Sequence, residues 1–242
     1  MMAPVATALL TKLTASNVLD GEDIQAIQRL PIRFRELDAR QIIVADGERP
    51  AECCLLAEGF TFRSKTTFDG LRQILSLHVP GEIPDLQSLH LKVMDHDLVT
   101  LTPCELGFIP HDALRQLNRE RPNVASALWR ETLIDAAIFR EWIVNVGRRS
   151  ATARMAHFFI ELFRRLEAVG RTRDGGFELP ITQVELADCL GISTVHVNRV
   201  LQDLRKEGLL TVNRANFHLL ERKKLEQLAG FDPTYLHQHP DL

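Results

Sequence analysis

The stretch ITQVELADCLGISTVHVNRVLQDLRKEG, residues 181–208, decides how the second half of this chain folds. Thr182 and Glu185 have the spacing of a capping box, which predicts that a helix begins directly after Thr182. Gly191 is a suitable left-handed residue to end that helix, and Ser193 is a good N-cap for a second helix that runs to the next glycine. Two helices joined by a short turn that contains glycine are the helix-turn-helix pattern.

The second of these helices is the candidate DNA reader. In a helix-turn-helix it enters the major groove, led by its N-terminal residues, and the apolar runs 209–212 and 217–220 beyond it predict a β-hairpin wing. The side chains predicted to face outward are Thr194, Val195, His196, Asn198, Arg199 and Gln202. Arg199 could bind guanine O6 and N7 with two hydrogen bonds, or hold a phosphate. The alternative interpretation is a packing helix with ordinary solvated residues.

The charges are distributed unevenly over the 242 residues, whose formal net charge is -3. Residues 147–242 hold 14 Lys/Arg and 12 Asp/Glu, whereas residues 1–146 hold 15 and 20. Within 193–224 there are seven basic and three acidic residues. Such local basicity permits phosphate binding, although most basic runs are solvated faces.

The preceding part of the chain has the pattern of an antiparallel β-structure followed by a long helix. From about residue 32 to 110, short apolar runs alternate with turns such as Asp46-Gly47 and Asp69-Gly70. A helix then opens at Pro122 and runs to about Val146. Its apolar residues form two stripes, one with Trp129, Leu133 and Ala137 and the other with Ile134, Ile138, Trp142 and Val146. Two apolar faces favour packing both on its own domain and on the same helix of a second subunit, and burial within one chain is the alternative.

These elements predict an α+β protein of two domains. Residues 1–146 would form an antiparallel sandwich or roll that carries the long helix, about 122–146. The sequence Gly147-Arg148-Arg149-Ser150 breaks that helix, and residues 147–242 would form a winged helix-turn-helix domain.

This order of motifs resembles the Crp/Fnr family of bacterial transcription regulators over nearly the whole chain. The residues at positions that the family's motif expects are Ala187, Gly191, Ser193, Val197 and Arg199. The turns that fit the roll of the family are Asp46-Gly47, Gly59, Asp69-Gly70 and Pro80-Gly81-Glu82. The resemblance implies that residues 1–146 form an antiparallel, jelly-roll-like β-roll with a long dimerisation helix, about 122–146. It also implies a homodimeric regulator that binds a palindromic operator in double-stranded DNA, with RNA polymerase as a candidate partner.

The resemblance also implies roles for single residues at the DNA. Thr182 and Gln183 would meet backbone phosphate, and Arg199 matches the recognition-helix arginine of the family. Val195 stands where many members have a glutamate, and a hydrocarbon cannot accept a hydrogen bond from cytosine. We therefore expect an operator that differs from the usual half-site of the family.

The effector pocket departs further from the family's pattern. Counting back from Cys104, the positions of the cyclic-nucleotide phosphate clamp fall on a methionine, an aspartate and a histidine instead of an arginine segment. An anion there reverses the local field, so cyclic AMP binding by the usual clamp is not expected. The positions of this degenerate pocket are Gly81, Glu82, Met94, Asp95 and His96. A different clamp could come from Arg63, Lys65 or Lys92. No cofactor is predicted, and an unknown small-molecule effector stays open.

The cysteines bear on the compartment and on sensing. The four are Cys53, Cys54, Cys104 and Cys189. They form no disulfide framework, which favours the cytoplasm, and with none before Cys53 the N-terminal cluster of the family's iron–sulfur branch is missing. Cys53 and Cys54 are adjacent on a predicted strand and should point to opposite faces.

Other function classes receive less support. The alternative that stays open is a redox, haem or small-ligand sensor whose winged helix mainly makes protein contacts. Candidate haem ligands for it are His90, His96 and His111. The sequence has no phosphate loop, nucleophile elbow, metal motif or membrane-spanning run, so we expect neither an enzyme, a metal site nor a membrane protein.

Overall fold

The structure, a computed structural model, describes residues 4–238. The chain divides into two compact units. The first contains the described parts of Met1–Lys65 and His237–Leu242 together with Ser76–Ala136, and the second contains Thr66–Leu75 and Ala137–Leu236. Among the described residues, no helix is both long and apolar enough to cross a membrane.

The first half of the chain folds into strands flanked by helices. The helices are α1 (Pro4–Ser16), α2 (Gly21–Gln28) and α3 (His111–Glu120), with a 3₁₀ turn at Leu86–Leu89. The strands are β1 (Arg33–Leu37), β2 (Ile42–Val44), β3 (Glu52–Glu58), β4 (Thr61–Thr66), β5 (Arg72–His78), β6 (Asp97–Thr100) and β7 (Cys104–Pro110). They form two sheets, in the orders β1-β7-β3 and β2-β6-β4-β5. The pairs that β7 makes with β1 and β3, and that β6 makes with β2 and β4, are antiparallel, as the sequence predicts.

Strand β3 is buried on both faces, and each of its two cysteines belongs to a different hydrophobic cluster. Cys53 packs in a cluster with Leu13 of α1 and Ile109 of β7. Cys54 packs in the other cluster with Leu98 of β6. The alternation of side chains along a strand therefore places the two thiols on opposite faces, as predicted.

The long helix predicted from Pro122 is present as α4 (Pro122–Gly147). Trp129 and Leu133 are 67% and 53% exposed, while Ile134 is buried. The stripe assignment differs from the prediction at two positions, because Ala137 is buried and Val146 is 42% exposed. A row of residues spaced four apart turns by about 40° per step around a helix, so the ends of each stripe leave the face on which they start.

The second half of the chain adds helices around a small sheet. The elements are α5 (Ala151–Ala168), β8 (Gly176–Glu178), α6 (Gln183–Leu190), α7 (Thr194–Lys206), β9 (Leu210–Asn213), β10 (Asn216–Leu219) and α8 (Arg222–Ala229), with a 3₁₀ turn at Pro233–Leu236. The sheet has the order β8-β10-β9. Phe217 of β10 lies 4.8 Å from Phe159 of α5 and stacks on Phe177 of β8 at 5.8 Å between ring centroids. This is a winged helix, and the predicted α+β class is confirmed.

A buried carboxylate joins three segments of the second unit. Glu161 of α5 accepts hydrogen bonds from Trp142 Nε1 at 3.0 Å, from the Tyr235 hydroxyl at 2.7 Å and from Arg165 Nη1 at 3.3 Å. The C-terminal half of α4, helix α5 and the segment after α8 are thus tied together. The division between the two compact units lies within α4, between Ala136 and Ala137. The domain boundary at residue 147 stays a prediction.

Candidate nucleic-acid interface

The helix-turn-helix is fixed by local backbone chemistry. Thr182 Oγ1 accepts from the Glu185 amide at 3.2 Å, and Glu185 Oε2 accepts from the Thr182 amide at 2.7 Å, which is the predicted capping box. Gly191 ends α6 in the left-handed conformation at φ 60°. Ser193 Oγ then accepts from the His196 amide at 3.3 Å and begins α7. Both helix starts and the turn between them therefore lie where the sequence predicts them.

Helix α7 has one buried and one outward face. Its buried side chains are Val197, Val200 and Leu204. On the other face Val195 is 78% exposed, Arg199 and Gln202 are exposed, and Thr194, His196 and Asn198 are partly buried. Positions 195, 198, 199 and 202 have the i, i+3, i+4, i+7 spacing that aligns side chains on one helical face.

The N-terminal turns of α6 and α7 present the other predicted contacts. Thr182 and Gln183 are exposed at the start of α6, and Ser193 is exposed at the N-cap of α7. The Thr182 hydroxyl also donates to Glu185 Oε2 at 2.7 Å. The unpaired amides of a helix N-terminus favour anions, so these turns suit a phosphate.

Several cations around this face are available to bind an external anion. Within α7 and the wing, the exposed cations to which the described part of the chain gives no ion pair or side-chain hydrogen bond are Arg199, Arg205, Lys206 and Arg214. Arg214 lies in the turn of the wing at φ 54°. Other arginines of the same unit are engaged, such as Arg164, which bonds Glu226 at 2.6 Å. Arg205 and Lys206 lie in the last turn of α7, where a positive charge stabilises the helix dipole. Arg199 and Arg214 do not lie at a helix C-terminus and have no such role.

The sequence reasoning missed the residues that fasten α6. Its last carbonyls accept from two side chains: Gln73 Nε2 donates to the Asp188 carbonyl at 2.5 Å, and Arg154 Nη1 donates to the Leu190 carbonyl. Arg154 Nη2 also donates to the Val146 carbonyl at 3.0 Å, so one guanidinium joins the ends of α4 and α6. Gln73 and Asp188 are 115 residues apart, and no local sequence signal connects them.

The five predicted effector-pocket positions are brought together only in part: Gln87 Nε2 lies 4.0 Å from Met94 Sδ and 3.4 Å from His96 Nε2. Met94 is a core residue, 2% exposed, and the Asp95 side chain is 81% exposed. Gly81 has φ 94°, and a Cβ there would lie 2.8 Å from the Ala8 carbonyl oxygen of α1. Glu82 Oε2 bonds the buried His78 at 3.0 Å, and His96 is buried beside Asp95 at 2.8 Å.

The groups suggested for a sensor are placed as follows. The three candidate clamp cations differ: Arg63 is buried, Lys65 pairs with Asp46 at 3.8 Å and Lys92 is exposed. His90 is exposed, and His111 is buried with Nε2 3.0 Å from Ser88 Oγ. All four cysteines are free and buried, and burial raises the pKa of each thiol, which disfavours the reactive thiolate. No group of three or more metal-binding side chains occurs within residues 4–238.

A β-roll followed by a winged helix-turn-helix defines a class of protein in which one domain senses or regulates and the other binds DNA. Two family models match the chain: residues 34–121 match the cyclic nucleotide-binding domain, and residues 153–228 match the Crp-like helix-turn-helix domain. Relatives include the transcriptional activator protein FnrL of Cereibacter sphaeroides, 24% identical over 88% of this chain and 86% of that protein. The nitrogen fixation regulation protein FixK of Bradyrhizobium diazoefficiens is 23% identical over 88% of each chain.

Solved structures have the same fold. FixK2 from Bradyrhizobium japonicum superposes with a TM-score of 0.77 at 22% identity, covering 84% of this chain and all of that one. A CRP-family transcriptional regulator from Thermus thermophilus has a TM-score of 0.60 at 24% identity, covering 81% of this chain and 97% of that one. The chain belongs to the Crp/Fnr family, and it is a DNA-binding regulator of that type.

Proposed function

We propose that this protein is a homodimer that binds a palindromic operator through α7, and that it acts in the cytoplasm as a transcription regulator. Residues 1–146 are the effector and dimerisation domain, and residues 147–242 bind the DNA. Arg199 reads a base edge, and RNA polymerase is a candidate partner at the promoter.

The observation that carries this proposal is the group of available cations around α7 and the wing. An exposed guanidinium without an internal carboxylate can bind phosphate without first breaking an ion pair, and it releases condensed counterions when it does so. Exposed Val195 adds an apolar contact suited to a thymine methyl. The N-terminal turns with Thr182, Gln183, Ser193 and Thr194 position the backbone, while His196, Asn198, Arg199 and Gln202 face the base edges.

The exposed apolar residues on α4 support the dimer. Trp129 and Leu133 project into solvent one turn apart, and large exposed apolar side chains in a row favour association. A two-fold dimer would present two copies of α7 roughly 34–36 Å apart, which is one turn of B-DNA.

Selection of binding sites from randomised duplexes tests the proposal. We expect an inverted repeat whose half-sites are about 10 base pairs apart, bound by a protein that sediments as a dimer at micromolar concentration. The affinity should fall steeply with salt, and Arg214→Ala should flatten that slope, because Arg214 is one of the available cations, in the turn of the wing. Arg119→Ala is the matched control, because Arg119 is an exposed cation on α3, outside the interface. A selection without a repeat, a monomer, or an affinity independent of salt would overturn the proposal, and the last result would favour a winged helix that contacts protein.

The effector domain is proposed to work without the usual phosphate clamp for cyclic AMP. Glu82 is engaged with His78, and Met94 fills the hydrophobic core. Gly81 lies beside α1, Asp95 faces solvent and carries a negative charge, and burial lowers the pKa of His96, so none of the three supplies a cation for a phosphate. Titration with cyclic AMP should leave the operator affinity unchanged within about twofold, and a tenfold change would contradict this part of the proposal.

A further inference from the structure

A buried cation inside the first unit is neutralised by the long helix. Arg63 of β4 has only 4% of its side chain exposed. Its Nη1 donates to Asp135 Oδ2 of α4 at 2.6 Å, and its Nε donates to the Pro84 carbonyl at 2.7 Å. Its Nη2 donates to the same carbonyl and to Gln87 Oε1 at 3.4 Å. These hydrogen bonds give the guanidinium two neutral acceptors and one carboxylate.

Asp135 supplies a negative charge at hydrogen-bond distance from this guanidinium. The nearby His78 and His96 do not compete with Arg63 as cations for the Asp135 carboxylate. Burial, and then the Arg63 charge, lower the pKa of both histidines. Glu82 is already engaged by His78 Nδ1 at 3.0 Å and by Lys12 Nζ at 3.6 Å. A buried guanidinium without a counterion would cost free energy of folding. The Asp135 carboxylate therefore stabilises the packing of α4 on β4.

A second ion pair repeats this arrangement one helical turn earlier. Glu131 and Asp135 are four residues apart, so they project from the same face of α4. Glu131 Oε2 lies 3.5 Å from Lys12 Nζ of α1. Two consecutive acidic side chains of α4 thus each bind a cation of the first unit, one from α1 and one from β4.

We propose that Asp135 is an internal ligand of the β-roll: its carboxylate occupies an anion site formed by Arg63, Pro84 and Gln87. The site suits a small carboxylate or phosphate, and the chain fills it with its own side chain. The ion pair through Asp135 holds α4 on the β-roll without an external anion, so the regulator would bind DNA without one. This regulatory consequence rests on the proposed function.

An external anion would have to displace Asp135, and two physical costs oppose this. A tethered ligand acts at an effective concentration in the millimolar range or above, because the helix keeps it next to the site. The displaced carboxylate also loses its charge-assisted hydrogen bond at 2.6 Å. Freely dissolved anions at ordinary concentrations therefore leave the intact site unchanged.

Removal of the internal carboxylate should turn the site into one for free carboxylates. We expect Asp135→Ala to lower the Tm by about 5 °C or more, because it removes the carboxylate that the buried Arg63 binds and leaves a space that acetate can enter. Sodium acetate should raise the Tm of this variant in a saturable way, compared with sodium chloride at the same ionic strength. The wild type should respond equally to both salts.

Two control variants separate this interpretation from a general effect of acetate. Asp135→Asn removes the charge but keeps the volume, so acetate should not restore its Tm. The double variant Arg63→Met with Asp135→Leu removes both charges of this pair and should fold with a Tm near that of the wild type and without an acetate response. If Asp135→Ala does not fold, folding of this double variant still supports the role of the carboxylate.

The proposal is overturned if Asp135→Ala keeps the Tm of the wild type, if acetate fails to stabilise the folded variant, or if acetate stabilises the double variant equally. It is overturned as well if neither Asp135→Ala nor the double variant folds, since the fold then needs more than charge balance at this site. None of these measurements contains DNA, so their outcome is independent of whether the operator proposal holds.

Discussion

Arg72 and Asp188, which are 116 residues apart, form an ion pair in which Nε and Nη2 of the arginine each lie 2.8 Å from Oδ2 of the aspartate. Arg72 begins β5, at the hairpin 66–75, and Asp188 lies in the last turn of α6. The neighbouring Gln73 donates to the Asp188 carbonyl. The hairpin therefore binds the end of the first helix of the helix-turn-helix by both a side chain and a backbone carbonyl.

Substitution of Gln73 should destabilise the second unit more than substitution of Arg72. Gln73→Leu leaves carbonyl groups at the end of α6 without a donor, a loss of about 1–2 kcal/mol, whereas the exposed ion pair of Arg72 contributes under about 1 kcal/mol. Urea unfolding of Gln73→Leu and Arg72→Ala measures both effects. The reverse ranking would show that the ion pair, and not the carbonyl contact, holds the hairpin on α6.

Arg199→Ala should weaken binding to the selected operator by about 1–3 kcal/mol and relax the specificity at one base pair. The reason is that a bidentate contact to guanine is lost while the phosphate contacts remain. Competition binding against random duplexes measures the difference. Arg205→Ala, in the last turn of the same helix, is the comparison variant: as one of the available cations that suit phosphate, it should lose affinity equally on specific and random DNA. Equal losses on specific and random DNA would make Arg199 a phosphate contact instead.

Trp129→Glu should convert the protein to a monomer at micromolar concentration and abolish cooperative binding to the two half-sites. A buried aromatic anchor at the centre of an interface typically carries more than about 2 kcal/mol, and an unpaired carboxylate adds a desolvation cost. Sedimentation velocity gives the oligomeric state. Val18→Glu is the control, because Val18 is also an exposed apolar residue, 91% accessible, but lies outside α4. A Trp129→Glu protein that remains dimeric would remove this face of α4 from the interface.

Asp85→Asn should increase the stability above pH 7 and have little effect at pH 4. Burial raises the pKa of Asp85 from 3.8 to about 7, against the hydrogen bond that its Oδ1 accepts from the Cys54 amide at 2.7 Å. The folded protein therefore keeps a proton that the unfolded chain releases, and the free energy of unfolding falls as the pH rises from about 4 to about 7. The difference between these pKa values corresponds to about 4 kcal/mol at most.

Urea unfolding at pH 4, 6 and 8 follows this dependence. Asp112→Asn, a change at an exposed aspartate of α3, should leave the pH profile as in the wild type. An Asp85→Asn protein that is no more stable than the wild type at pH 8 would contradict the expected protonation of this buried carboxyl.

The sequence predicted best what is encoded locally. The capping box at Thr182, the left-handed Gly191 and the N-cap Ser193 each depend on residues within one helical turn, so both helices of the motif were found. The opposite faces of Cys53 and Cys54 follow from strand alternation alone. These features are independent of how distant segments pack.

The contacts that the sequence could not reveal join residues far apart in the chain. Arg63 and Asp135 are 72 residues apart, and the sequence suggested only that Arg63 could meet an external anion. Periodicity alone can also assign a residue to the wrong face of a helix, as it does for Ala137 and Val146 of α4. Charge pairing across the fold depends on three-dimensional distance and desolvation, neither of which a pattern of residue types contains.

The position of the adjacent cysteines on β3 gives the protein two built-in reporters of local opening. Each thiol is enclosed by a different hydrophobic cluster, so alkylation of Cys53 requires opening of the helix-covered side, and alkylation of Cys54 requires opening of the space between the sheets. Mass spectrometry of peptides labelled for increasing times would give a separate opening rate for each side. The two halves of this core can thus be followed independently in the unmodified chain.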